Sequence, residues 1–226
     1  MMRGMPAAAG KTPAEDRDRD DLDRRVGDVR SLASRLENAR LATTVLAAWC
    51  RERGIADGNV LVRLVADADP ENLDFEGFRA LGLDGPAGEG AGENPSAAGL
   101  VFRKVELRLC GLRVAEATNW YFPARLTAEM RARITTDCPF GEAIEALQPI
   151  RRTLWVRPAS PAAIVSAVTE FRERRQAGTA AADRMGGEPS DLLLGVPVIE
   201  VRALLHRPDG TPLSLVQEKI GAVVVA

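Results

Sequence analysis

The sequence predicts an α+β fold, an antiparallel β-sheet with helices packed on it. Two hairpins lead to that reading: residues 100–110 and 113–122 flank Gly111-Leu112, and residues 198–207 and 213–225 flank the turn Pro208-Asp209-Gly210. Between and before them lie stretches with apolar residues at helical spacing. Neither an internal repeat nor a GxGxxG fingerprint points toward a doubly wound sheet.

The elements follow in chain order. Residues 1–20 mix Ala, Gly, Pro and charge without an apolar period; such a stretch cannot offset the entropy lost on ordering, so it is predicted as a disordered tail, with residues 21–226 as a single domain. From Leu22, apolar residues recur at helical spacing through Val26, Val29, Leu32, Leu36, Leu41, Val45, Leu46 and Trp49 until Gly54, giving one long helix or two shorter ones. Asp57-Gly58 is a turn signal, and residues 59–66 (NVLVRLVA) read as a strand. Residues 85–98 hold almost nothing to bury and read as a surface loop. Gly111 as the first of two turn residues suits a type II′ hairpin. Residues 126–134 have helical spacing with Thr127 as cap, residues 151–157 read as a strand, 161–175 as a helix, and 177–189 as a second loop before the last hairpin.

Composition narrows the function. A chain of 226 residues can bury a real core, and 46% hydrophobic with 27% charged residues at a net charge of -2 gives no disorder signature and no electrostatic pull toward nucleic acid. No apolar run approaches the roughly 20 residues that cross a bilayer, and residues 1–11 lack the apolar core of a secretory signal, so no membrane partner and a cytoplasmic location are expected. Cys50, Cys110 and Cys138 lack CxxC spacing and read as reduced thiols, with Cys138 lacking a neighbouring base; His206 is the single histidine, so no metal site is predicted.

Strand alternation singles out two charged residues. In the first hairpin Val101, Arg103, Val105, Leu107 and Leu109 share one face, which turns Arg103 toward the apolar side. A buried guanidinium costs on the order of several kcal/mol unless something ionic meets it, and that partner is either a protein carboxylate or a ligand. In the last strand Ser214, Val216, Glu218, Ile220 and Ala222 share a face, so Glu218 also looks inward, toward Arg103 or toward a ligand hydroxyl. Residues 136–141 (TDCPFG) form a turn into a short helix whose free N–H groups can meet an anion.

The ordered set Phe102-Arg103-Lys104-Val105-Glu106-Leu107, Ala117-Thr118-Asn119-Trp120-Tyr121-Phe122-Pro123, Arg125-Leu126-Thr127, Thr136-Asp137-Cys138-Pro139-Phe140-Gly141 and Arg151-Arg152-Thr153-Leu154 resembles the chorismate lyase-like family. The turn Asp209-Gly210-Thr211-Pro212 followed by Val216-Gln217-Glu218 is similar to that family's last hairpin. The resemblance implies a chorismate lyase-like sheet whose flaps enclose an aromatic acid, with no cofactor. It also implies that Arg103 and the backbone N–H of Phe140 hold the ligand carboxylate while Glu218 contacts the opposite hydroxyl end. Phe140 stands where the ubiquinone-pathway lyases tend to carry Leu, which leaves the substrate open.

The resulting expectation is a carbon–oxygen lyase that cleaves chorismate to pyruvate and a hydroxybenzoate, the 4-isomer first, with Arg103 and Glu218 as its catalytic pair and Phe140 in substrate binding. The alternative is a non-catalytic sensor of a small aromatic carboxylate on the same fold. Regulators of that kind normally carry a separate DNA-binding domain, and residues 1–54 show no convincing helix-turn-helix and wing. The expected partner is a small aromatic carboxylate in either case.

Overall fold

A computed structural model of the chain describes residues 13–66, 68, 71–83, 99–185 and 195–226. The architecture is α+β: six strands form one antiparallel sheet, with helices packed on it. Helices α1 (Pro13–Glu37) and α2 (Ala42–Glu52) come first, then strand β1 (Leu61–Leu64), helix α3 (Phe75–Ala80) and the hairpin β2 (Val101–Leu109) with β3 (Leu112–Tyr121). Helices α4 (Ala128–Ile134) and α5 (Phe140–Ala143), strand β4 (Ile150–Pro158), helix α6 (Pro161–Met185) and the hairpin β5 (Ile199–His206) with β6 (Pro212–Ile220) complete it. The strand order is β1-β2-β3-β6-β5-β4, so the two hairpins meet at β3 and β6 in the middle of the sheet.

The alternation read from the sequence holds from Arg103 to Leu109 and from Ser214 to Ile220, while Val101 is exposed and Ala222 lies beyond the last strand. Arg103, Val105, Leu107 and Leu109 of β2 are buried, and Val216, Glu218 and Ile220 of β6 lie on the same face. On that face Val29, Leu32 and Leu36 of α1, Leu46 and Trp49 of α2, and Ile164 and Val168 of α6 complete the main core. The opposite face has a smaller core in which Trp120, Leu204 and Leu215 meet Leu73, Phe78 and Leu81 around α3. A third cluster joins Tyr121 and Leu213 to α4 and α5 through Met130, Ile134, Phe140 and Ile144.

Several boundaries differ from the sequence reading, each for a local reason. Helix α1 starts at Pro13 rather than at Leu22. Charge pairs one turn apart, such as Asp21 with Arg24 and Arg25, favour helix where no apolar face exists. Residues 1–12 of the expected tail lie outside the described residues, as does the expected loop at 85–98. Helix α6 runs on to Met185, through alanines that favour helix, where a loop from residue 177 was expected; residues 186–189 of that loop lie outside the described residues.

The first hairpin also turns one residue earlier than expected. Leu109 pairs with Leu112, which leaves Cys110 and Gly111 as the turn, with φ of 48° and 79°. Two positive φ values make it a type I′ turn rather than type II′, the form whose twist matches the flanking strands. At the other end, β6 stops at Ile220, and Ala222–Val224 forms a buried 3₁₀ turn instead of more strand. Trp49 Nε1 donates to the Val224 carbonyl at 2.9 Å and Arg25 Nη1 to that of Val225 at 2.5 Å, which fixes the turn against α1 and α2.

Candidate functional site

Between the sheet and its helical cover lies a cavity of about 100 Å³. Strand register makes the space. Arg103 pairs with Asn119 and Val105 with Ala117 across β2 and β3, while Ala117 pairs with Glu218 across β3 and β6. The short Ala117 side chain thus separates the two strands that carry Arg103 and Glu218, and all of these residues line the cavity. Leu41 and Ala42 at the start of α2, with Pro139, Phe140 and Gly141 at the start of α5, line its other side. The Phe140 ring is itself held edge-on against Tyr121, with ring centres 5.3 Å apart.

Arg103 is 5% exposed, and its charge meets no carboxylate within ion-pair distance among the described residues. Its Nη2 donates to the carbonyls of Thr136 (2.9 Å) and Cys138 (2.7 Å), which anchors the turn before α5. Nε and Nη1 have no acceptor among the described residues. Burial pushes the guanidinium below its ordinary value, and the neighbouring Tyr121, Cys138 and Asp137 push it back up. An arginine remains charged under such an opposition, so the cavity holds a cation with two free donor atoms. The same burial raises Tyr121, and Arg103 partly offsets the rise.

Glu218 does not pair with Arg103. Its carboxylate accepts from Arg151 of β4, Nη2 to Oε2 at 2.7 Å and Nη1 to Oε1 at 3.3 Å, with both side chains under a tenth exposed. The interior charge of this pair is balanced, whereas that of Arg103 is not. The first turn of α5 presents the N–H groups of Phe140 and Gly141 beside the cavity, since the initial amides of a helix have no acceptor within it.

All three sequence-selected residues therefore line one cavity. Arg151, Asn119 and Leu41 were not selected. Alternation through Ala115, Ala117 and Asn119 could have exposed Asn119 as an inward polar residue; the helical period counted Leu41 among its apolar positions, whereas it lies in the connection between α1 and α2. No group of His, Cys, Asp and Glu among the described residues is placed to hold a metal ion, and no helix among them is long and apolar enough to cross a membrane.

No family model matches the chain. An uncharacterized protein of Sinorhizobium fredii (strain NBRC 101917 / NGR234), y4mC, is 32% identical over 192 residues, covering 82% of this chain and 70% of that protein. The chain belongs to the y4mC family. Among solved structures, it is similar to PhnF from Mycobacterium smegmatis, at 17% identity and a TM-score of 0.45, covering 81% of this chain and 64% of that one. It is also similar to the separate effector domain of PhnF, at 13% identity and a TM-score of 0.42 over 80% of this chain and 88% of that one. A third likeness is to the ligand-binding domain of a putative GntR-family transcriptional regulator from Bordetella bronchiseptica, at 17% identity and a TM-score of 0.38 over 72% and 83%.

These findings correct the lyase expectation. Of the solved structures named above, two are described as an effector domain and as the ligand-binding domain of a putative GntR-family transcriptional regulator. Glu218, one of the two residues expected to be catalytic, is held in a bidentate pair with Arg151.

Proposed function

We propose that this chain is a non-catalytic binder of a small carboxylate, with aromatic acids the leading class. The observation that carries this reading is Arg103: a guanidinium 5% exposed, beside a cavity, with Nε and Nη1 unbonded. Leaving such a charge without an anion costs on the order of several kcal/mol, and a ligand carboxylate would offset that cost with charge-assisted bonds of about 1.5–3 kcal/mol. The N–H groups of Phe140 and Gly141 would share the second oxygen. Glu218, although paired, keeps lone pairs that can accept from a ligand hydroxyl.

Volume bounds the ligand. An apolar cavity of about 150 Å³ takes up benzene, so about 100 Å³ suits a carboxylate with a few attached carbons, and a larger ring would extend toward the outer cleft beside Leu41. The test has two arms. Saturation with 4-hydroxybenzoate should shift amide resonances around Arg103 and Phe140 in an NMR titration, whereas 4-hydroxybenzamide should not. Incubation with chorismate should release no pyruvate above the uncatalysed rate; sustained release, or equal shifts with acid and amide, would overturn the reading.

A further inference from the structure

We propose that the ligand is a zwitterion, held with its carboxylate on Arg103 in the inner cavity and an ammonium group in the acidic outer cleft. This inference rests on the carboxylate reading above.

The inner cavity and an outer cleft of about 940 Å³ share the wall made by Arg40, Leu41, Gly141, Glu142, Arg151 and Leu205, so a molecule seated inside can continue outward past it. The two compartments differ in sign. Inside, Glu218 cancels Arg151 and leaves Arg103 without an ion-pair partner among the described residues. Outside, Glu37, Glu142 and Glu145 line the cleft, are exposed, and have no lysine or arginine within ion-pair distance among the described residues. Arg40, exposed on the rim, is the cation that stands against these three carboxylates.

An acidic rim alone would attract hydrated cations without selecting any molecule. Arg103 changes that, because a buried, incompletely bonded guanidinium at the inner end fixes which end of a ligand enters first. A dicarboxylate held in this way would direct its second charge among three glutamates, and a neutral tail would gain nothing from them. An ammonium tail gains from each. Leu41 and Ile150, 48% and 46% exposed, also line the cleft and suit an apolar spacer. Exposed charge pairs contribute little each and are screened over about 10 Å at 0.1 M salt, so the outer contribution should be modest and salt-sensitive while the buried one is not.

The test is calorimetry on the full chain with four probes: benzoate, 4-(aminomethyl)benzoate, its neutral isostere 4-(hydroxymethyl)benzoate, and terephthalate. At low ionic strength the aminomethyl acid should bind about two- to fivefold tighter than the hydroxymethyl acid, and terephthalate should bind weakest. The gap should close at high salt and in Glu142→Gln/Glu145→Gln. Should that variant fail to fold, the probe order on the wild-type chain decides by itself. Equal binding of the aminomethyl and hydroxymethyl acids, or a preference for terephthalate, with benzoate still bound, overturns the zwitterion and leaves the carboxylate reading standing. Failure of every acid, benzoate included, to bind the folded chain removes both.

Discussion

Arg103 and Arg202 are buried alike, 5% and 6% exposed, on opposite faces of one sheet, yet their surroundings differ. Arg202 Nη1 donates to both oxygens of Asp74 at 2.8 and 2.7 Å, Nη2 donates to Gln217 at 2.8 Å, and the guanidinium lies 5.0 Å from the Trp155 ring centre. Arg103 meets two backbone carbonyls and, among the described residues, no carboxylate. The desolvation cost is similar in kind at both sites, but among the described residues Arg202 has a carboxylate within ion-pair distance and Arg103 does not. Burial alone therefore does not tell the two arginines apart; their partners do.

The largest expected effect tests whether the helix-covered face can hold a structural arginine at all. Glu218→Gln leaves Arg151 buried beside a neutral partner and should lower the unfolding free energy by about 3 kcal/mol, the range for breaking a buried pair, as measured by urea denaturation. Asp74→Ala probes the other face. It removes the partner of Arg202 and the cap of α3, where Asp74 accepts from the Gly77 N–H at 2.8 Å. Because the Asp74 side chain is 56% exposed, water shares the interaction, and a loss of about 2 kcal/mol is expected in the same assay.

Arg103→Met should behave differently from both. Relief of an uncompensated buried charge opposes the loss of two carbonyl contacts, so stability should stay within about 1 kcal/mol of wild type while carboxylate binding disappears. A loss near 3 kcal/mol would erase the distinction between the two arginines. The smallest effect is in pH. Burial pushes the Asp74 carboxyl up, but hydrogen bonds from Arg202 and the Gly77 N–H, with the charges of Arg202 and Arg157, outweigh it and hold the group below its ordinary value of 3.8. A depressed folded value gives stability that is complete above the ordinary one and drains as pH falls through the folded one. Asp74→Asn should therefore flatten the acid side of a stability profile below about pH 4, with little further change above it.

What the sequence made legible was local. The period-2 pattern through Val101, Arg103, Val105 and Leu107 is a property of a single strand, and it turned Arg103 inward correctly, as the pattern through Val216, Glu218 and Ile220 did for Glu218. The pairing of Glu218 with Arg151 depends on β5 lying between β6 and β4, an ordering that no single segment encodes. The cavity wall at Leu41 comes from an irregular connection brought over the sheet by two helices, and α3 is too short to produce a readable helical period. The fold class followed from turns and periods; the site's neutralised and uncompensated charges required the tertiary structure.

Arg103→Lys is the variant that decides whether Arg103 anchors the carboxylate. Lysine keeps the charge but loses the planar fork that meets a carboxylate through two parallel bonds. Calorimetry with 4-hydroxybenzoate and 4-hydroxybenzamide, on wild type and variant, should show the acid binding wild type and weakening by about 1.5–3 kcal/mol in the variant, with the amide bound poorly by both. Equal affinity of the two proteins for the acid, or equal affinity of wild type for acid and amide, would show that Arg103 does not anchor the carboxylate.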